Sequence, residues 1–130
     1  MIFLDTHVVM WLHIRDMGRL GGAQPHISGR ALLISPMVEL ELQLLHEIGR
    51  LKTLPAVVIG HLAADVGLAI SQHPFDDVVH HAAKLSWTRD PFDRLIVAQA
   101  IAGGAPLCTA DDRIRRHFAG AVWGASPQTA

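Results

Sequence analysis

Cysteine, charge and long apolar runs are all scarce in this sequence, and each scarcity removes a class of protein. There is one cysteine, Cys108, so an internal disulfide is excluded and a reducing compartment fits. Cys108 lies in an apolar run, which points to a buried, inert thiol. Charged residues make up 18% of the chain and the net charge is −1, which is not the global footprint of a nucleic-acid binder. Any nucleic-acid contact must use local patches, with Arg113, Arg115 and Arg116 as one candidate set and Arg89 and Arg94 as another. No uninterrupted apolar stretch is long enough to span a bilayer. The apolar N-terminus has no Lys or Arg before it and is broken by Asp5, so it does not read as a signal peptide. A cytoplasmic protein with no membrane partner is expected. No Walker-type loop, repeat, low-complexity tract or linker is visible, and the 130 residues suit one domain, 1–130.

Apolar residues are abundant instead. Half the chain is hydrophobic and the mean hydropathy is +0.29, high enough that a partner or a second copy is expected to cover some apolar surface. Short apolar runs alternate with helical patterns. Met1–Leu4, Leu32–Ser35, Leu68–Ser71 and Pro106–Thr109 read as strands, with Ala121–Trp123 as a possible edge strand. Val8–Ile14, Pro36–Ile48, Pro55–Asp65, Pro74–Trp87, Pro91–Ala102 and Asp111–Phe118 read as helices. Gly18, Gly21 and Gly22 mark a loop, with a short helix over Pro25–Arg30. Such alternation indicates an α/β fold with a parallel sheet of four or five short strands between helical layers. Ligands bind beyond the carboxyl ends of such strands.

Acidic residues fall at that edge. Asp5 ends the first strand and Asp111 follows the fourth; singly, each is explained as a helix N-cap. In Asp90-Pro91-Phe92-Asp93, Pro91 suits the first helical position, so Asp90 is the cap. Asp93 is favoured in the first turn by the helix dipole and can complete a capping arrangement with Asp90, but the cap needs only Asp90, and Asp93 shares the face of Val97 and Ala100. On a helical wheel, Met37, Val38, Leu40, Leu42, Leu44, Leu45 and Ile48 fill one arc with Glu41 near its centre. A lone inward carboxylate needs a partner or a metal; Arg94 or a retained proton are the plain alternatives. If Asp5, Glu41, Asp93 and Asp111 converge, their mutual repulsion raises their pKa values unless a cation intervenes. All-oxygen ligation suits Mg²⁺ or Mn²⁺, and the chemistry suggested is metal-assisted phosphodiester hydrolysis.

Leu4-Asp5-Thr6-His7, Glu41 ahead of Gly49-Arg50-Leu51, Thr88 to Leu95 and Thr109-Ala110-Asp111 resemble the PIN domain in order and nearly throughout the chain. The likeness is nearest to the VapC toxins of bacterial toxin–antitoxin pairs. It implies an Mg²⁺- or Mn²⁺-dependent ribonuclease acting on RNA, neutralised by a small VapB-type antitoxin and usually a homodimer. Residue by residue, the family's acids fall on Asp5, Glu41, Asp93 and Asp111, with Asp90, Thr109 and Thr6 in support. Two departures stand out. His7 occupies a position where many members have Asn, and Asp112 adjoins Asp111, leaving two acids for the last position.

Other signals have plainer explanations. Nine histidines invite a metal reading, yet Arg50 stands where a His46-Glu47 metalloprotease helix needs its second His. Trp11, Trp87 and Trp123 can stack on bases, but apolar neighbours point to packing. Arg94, Arg113, Arg115 and Arg116 suit RNA phosphates or a solvated face equally. Two rivals remain: a non-catalytic interaction module whose acids only cap helices, and a receiver-type phosphoacceptor. The second lacks the required Asp at the end of the third strand, which closes on Ser71-Gln72-His73.

Overall fold

The computed structural model describes residues 1–125. Five parallel strands form one sheet in the order β3-β2-β1-β4-β5, flanked by helices in an α/β/α arrangement. The strands are short: β1 Ile2–Leu4, β2 Leu32–Ile34, β3 Ala69–Ile70, β4 Leu107–Cys108 and β5 Ala121–Val122. The three residues of β1 are all buried, as a central parallel strand with helices on both faces must be. β1 pairs with β2 on one side and with β4 on the other. The chain thus changes direction across the sheet at β1, and the crevice between the carboxyl ends of β1 and β4 is the switch point where such sheets bind ligands.

Helix α1 (Thr6–Ile14) leaves β1 immediately, and α2 (Met17–Leu20) and α3 (Gln24–Ile27) lead to β2. The expected glycine loop therefore contains a helical turn. Asp16 caps it, its Oδ1 accepting the Arg19 N–H at 3.1 Å, and this local bond outweighs the low helix propensity of Gly18. Helices α4 (Pro36–Glu47) and α5 (Pro55–Val66) connect β2 to β3. On α4 only Val38 and Leu42 are buried; Leu40, Leu44 and Ile48 are exposed. The apolar arc read from the sequence is thus broader than the face the core covers.

Helix α6 (Phe75–Ala82) stops short of the expected Trp87. The helix tightens into i→i−3 turns, Lys84 N–H to the His81 carbonyl and Leu85 N–H to the Ala82 carbonyl, and beyond them the Trp87 ring stacks on His117, centroids 5.0 Å apart and planes 5° apart. Helix α7 (Pro91–Ala102) runs back along the sheet with Ile96 to Ala100 all buried. Its one polar core residue, Gln99, donates from Nε2 to Ser71 Oγ at 3.1 Å. Helix α8 (Asp112–His117) joins β4 to β5. Cys108 is buried and its thiol is pushed up to about 12, mainly by burial, so it stays protonated and inert.

The sheet edge near β5 is closed by an aromatic contact that depends on a glycine. A Cβ on Gly22 would stand 2.3 Å from ring atoms of Trp123. Gly22→Ala should therefore destabilise the fold by about 1–3 kcal/mol, read as a lower urea midpoint with an unchanged m-value; a neutral result would mean that Trp123 does not pack there.

Candidate functional site

Four separate segments bring acids to the β1/β4 crevice. Asp5 follows β1 and is only 9% exposed. Its Oδ1 accepts the Thr6 N–H at 2.8 Å and its Oδ2 accepts the Thr109 hydroxyl at 2.6 Å. Thr109, fully buried beyond β4, also accepts the Asp111 N–H at 3.0 Å. One hydroxyl thus joins the two strand ends across the switch point. Thr6, equally buried, donates its hydroxyl to Glu41 Oε1, which ties α4 to the start of α1.

Three of the acids cap helices. Asp5 serves α1. Asp90 takes the Phe92 N–H at 2.9 Å for α7, and Asp111 takes the Ile114 N–H at 2.9 Å for α8. Glu41 and Asp93 cap nothing. Both are half-buried, and among the described residues no Lys, Arg or His forms an ion pair with Asp5, Glu41, Asp90, Asp93 or Asp111. Arg94 is not the partner of Glu41: its Nε donates to the Thr88 carbonyl at 2.7 Å. Thr88 in turn accepts the Asp90 N–H at 3.1 Å, so Arg94 steadies the loop that presents Asp90 and Asp93.

The electrostatic consequence is uniform. Burial raises the Asp5 carboxyl above its ordinary value, opposed by its bonds to Thr109 and Thr6. Burial also raises Glu41, against its Thr6 bond and with Asp5 adding to the rise. Asp93 is raised furthest, to about 7, by burial first and then by Asp90, Asp111, Asp5 and Glu41. Asp93 is the acid on which the repulsion of all four others falls, which makes it the electrostatic centre of the cluster. Asp112 is outside it: its carboxylate meets Arg115 Nη1 at 3.6 Å and is largely solvated. Of the two adjacent acids, Asp111 is the one that faces Asp5 and Asp93.

The donor set suits a hard divalent cation. It is all carboxylate oxygen, it is short of positive charge, and it holds protons at the acids' expense. As the side chains stand, no three of the described His, Cys, Asp or Glu residues approach closely enough to enclose an ion.

The arginines are dispersed. Arg113 donates from Nη2 to the Trp87 carbonyl at 2.7 Å and lies 5.9 Å from that ring's centroid. Arg115 and Arg116 line a cleft of about 760 Å³ with His26 and Trp123. Most histidines have structural partners: His26 bonds the Gly124 carbonyl, His46 the Leu51 carbonyl, His13 and His61 each other, and His73 Asp77. His7 is different. With Trp11 it lines a small pocket beside Asp5, Ala110 and Asp111. From the sequence His7 has a weak claim to water or substrate contact and Trp11 is expected to pack; their spacing of four on α1, just after Asp5, is the signal that joins them.

A parallel sheet with a carboxylate cluster at its switch point defines the class as an α/β protein with a metal-compatible acidic site. The PIN domain family model matches residues 2–118, and the chain belongs to the PIN domain family. Among solved structures it is similar to a chain in the crystal structure of VapBC2 from Rickettsia felis bound to a DNA fragment from their promoter. The identity is 18% and the TM-score 0.64, over 95% of this chain and 99% of that one. This likeness is one of fold. A search of curated protein sequences found no match.

The raised carboxyl of Asp93 has a pH signature in the metal-free protein. Its folded pKa of about 7 exceeds the ordinary 3.8, so its stabilising contribution is complete below about pH 4 and lost as pH rises through 7. Denaturant midpoints without metal should therefore fall between pH 5 and pH 8. Asp93→Asn should remove most of that fall, whereas an unchanged slope in the variant would place the titration elsewhere.

Proposed function

We propose that this protein is a divalent-metal-dependent endoribonuclease and the toxin of a type II toxin–antitoxin pair. The observation that carries the proposal is the pair of half-buried acids, Glu41 and Asp93, that cap no helix and, among the described residues, form no ion pair. A fold needs N-caps; it does not need two further carboxylates pressed among them at a stability cost. PIN domains are generally nucleases, which gives the site a chemistry consistent with its charge.

In this proposal Asp5, Asp93 and Asp111 hold Mg²⁺ or Mn²⁺, and Glu41 binds the ion or orients the attacking water. Held there, such an ion would supply an activated water and charge neutralisation at the phosphodiester. The chain supplies the rest. Thr109 holds the Asp5 carboxylate in place and Thr6 does the same for Glu41. Asp90 starts α7 so that Asp93 sits in its first turn. RNA phosphates would meet Arg115 and Arg116 in their open cleft. Arg94 and Arg113, each tied to a backbone carbonyl, have only part of the guanidinium free for RNA.

A VapB-type antitoxin is the proposed partner, by analogy with the VapBC2 complex that the fold resembles. Leu40, Leu54 and neighbouring residues line an apolar groove of about 460 Å³ between α4 and α5. With Leu44 and Val57 also exposed, this surface supports a protein partner, either the antitoxin or a second copy in a homodimer. Among the described residues no helix is long and apolar enough to cross a membrane.

The rival interaction module has one observation in its favour, the capping roles of Asp5, Asp90 and Asp111. Cleavage separates the two. Purified protein should cut RNA with Mn²⁺ and not with EDTA. Asp93→Asn should lower the rate by roughly 100-fold or more, the loss typical when one electrostatic stabiliser is removed, while the fold persists. Equal cleavage by the variant would refute the site.

A further inference from the structure

We propose that the pocket lined by Asp5, His7, Trp11, Ala110 and Asp111 is a nucleobase subsite. In it, the base of an unpaired nucleotide next to the cleaved phosphate stacks on the His7 and Trp11 rings. The inference rests on the ribonuclease reading above and adds to it the part of the substrate that is recognised.

The pocket holds about 200 Å³. Among the described residues no Lys or Arg lines it; beyond the two acids its wall is the His7 and Trp11 rings and Ala110, which suits a planar base beside the phosphate that the acids would engage through their metal. His7 is exposed on the first turn of α1 and Trp11 follows one turn later on the same face. Their centroids are 6.0 Å apart and their planes 46° apart. An exposed His beside a half-buried Trp adds little to a core, yet it leaves π-surface open beside the acids. Trp11 is braced from behind by Trp123, centroids 6.0 Å apart and planes at 57°. The ring is thereby held before a ligand arrives, which lowers the ordering cost of binding. Ala110 contributes only a methyl group to the wall, which leaves room for a ring.

The surroundings give the strand a direction. Trp123 also lines the cleft of Arg115 and Arg116. The aromatic series His7, Trp11, Trp123 thus leads from the acids to the two arginines. A base can enter the small pocket while the following phosphates run toward the guanidinium groups. A base inside a duplex cannot present its face in this way, so the substrate segment is single-stranded.

The test uses a 5′-labelled single-stranded hexaribonucleotide and the same strand with abasic ribose at every position. Binding is read by fluorescence anisotropy with Ca²⁺ in place of Mg²⁺, strand integrity being checked on gels. Wild-type protein should bind the base-bearing strand roughly tenfold more tightly than the abasic one, as expected for stacking of one base. His7→Ala and Trp11→Ala should lose most of that preference without weakening the abasic strand, and Trp11→Phe should keep it. If Trp11→Ala fails to fold, the exposed His7 position decides. Wild-type protein with no preference, or folded variants with the full preference, would overturn the subsite. Absence of RNA cleavage in Mn²⁺ with the preference intact would defeat the ribonuclease reading and leave the subsite standing. Cleavage with the preference unchanged in both alanine variants would defeat the subsite alone.

Discussion

Carboxylates held close together without a cation repel one another, and the fold around the β1/β4 crevice is arranged to hold them there regardless. The Thr109 hydroxyl bridges the ends of β1 and β4 by bonding both Asp5 and the Asp111 backbone. The Thr6 hydroxyl reaches Glu41 on another helix. Thr88 and Arg94 secure the turn before α7, and the buried run Ile96 to Ala100 keeps that helix in place beneath the sheet edge. Three buried threonines thus position acids that they cannot neutralise. The remaining charge imbalance appears in Asp93, raised to about 7. A hard cation would reverse that shift, since metal and proton compete for the same oxygens.

The same arrangement explains how chemistry and packing are divided within single elements. Asp90 satisfies orphan N–H groups at the start of α7, and Asp93, three residues on, satisfies none. Asp111 caps α8, whereas Asp112 turns to Arg115 in solvent. Adjacent or near-adjacent acids therefore have unlike surroundings, and those surroundings determine which are electrostatically coupled. The His7–Trp11 face extends this logic to substrate: the first helix after β1 carries the cap at its start and aromatic surface one turn later.

Much of this was legible in the chain. The strand–helix alternation gave the parallel sheet, Pro91 gave the division between Asp90 and Asp93, and the wheel placed Glu41 away from the solvated side of α4. Where the reading failed, the cause was a contact distant in sequence or a surface whose partner is a different molecule. The wheel could not know that Leu40, Leu44 and Ile48 lie beyond the reach of this chain's own core. The helical pattern after Pro74 continues through Lys84 and Leu85, where the chain instead turns on i→i−3 bonds and delivers Trp87 to a stack on His117, thirty residues away in sequence. On α1 the apolar run from Val8 to Leu12 is unbroken, so periodicity does not say which face lines the site. Trp11 therefore reads as packing, and His7, next to Asp5, keeps a weak claim to substrate contact.

The central claim is that the acidic cluster is a divalent-cation site and not a set of caps with surplus charge. Thermal unfolding at pH 7.5 with increasing Mn²⁺ tests it without reference to any RNA, because a ligand that binds only the folded state raises its apparent stability with concentration. The account predicts a steady rise in Tm for the wild-type protein and a rise largely abolished in Glu41→Gln and Asp93→Asn. No rise in the wild type at millimolar Mn²⁺, or an undiminished rise in Glu41→Gln and Asp93→Asn, would contradict it.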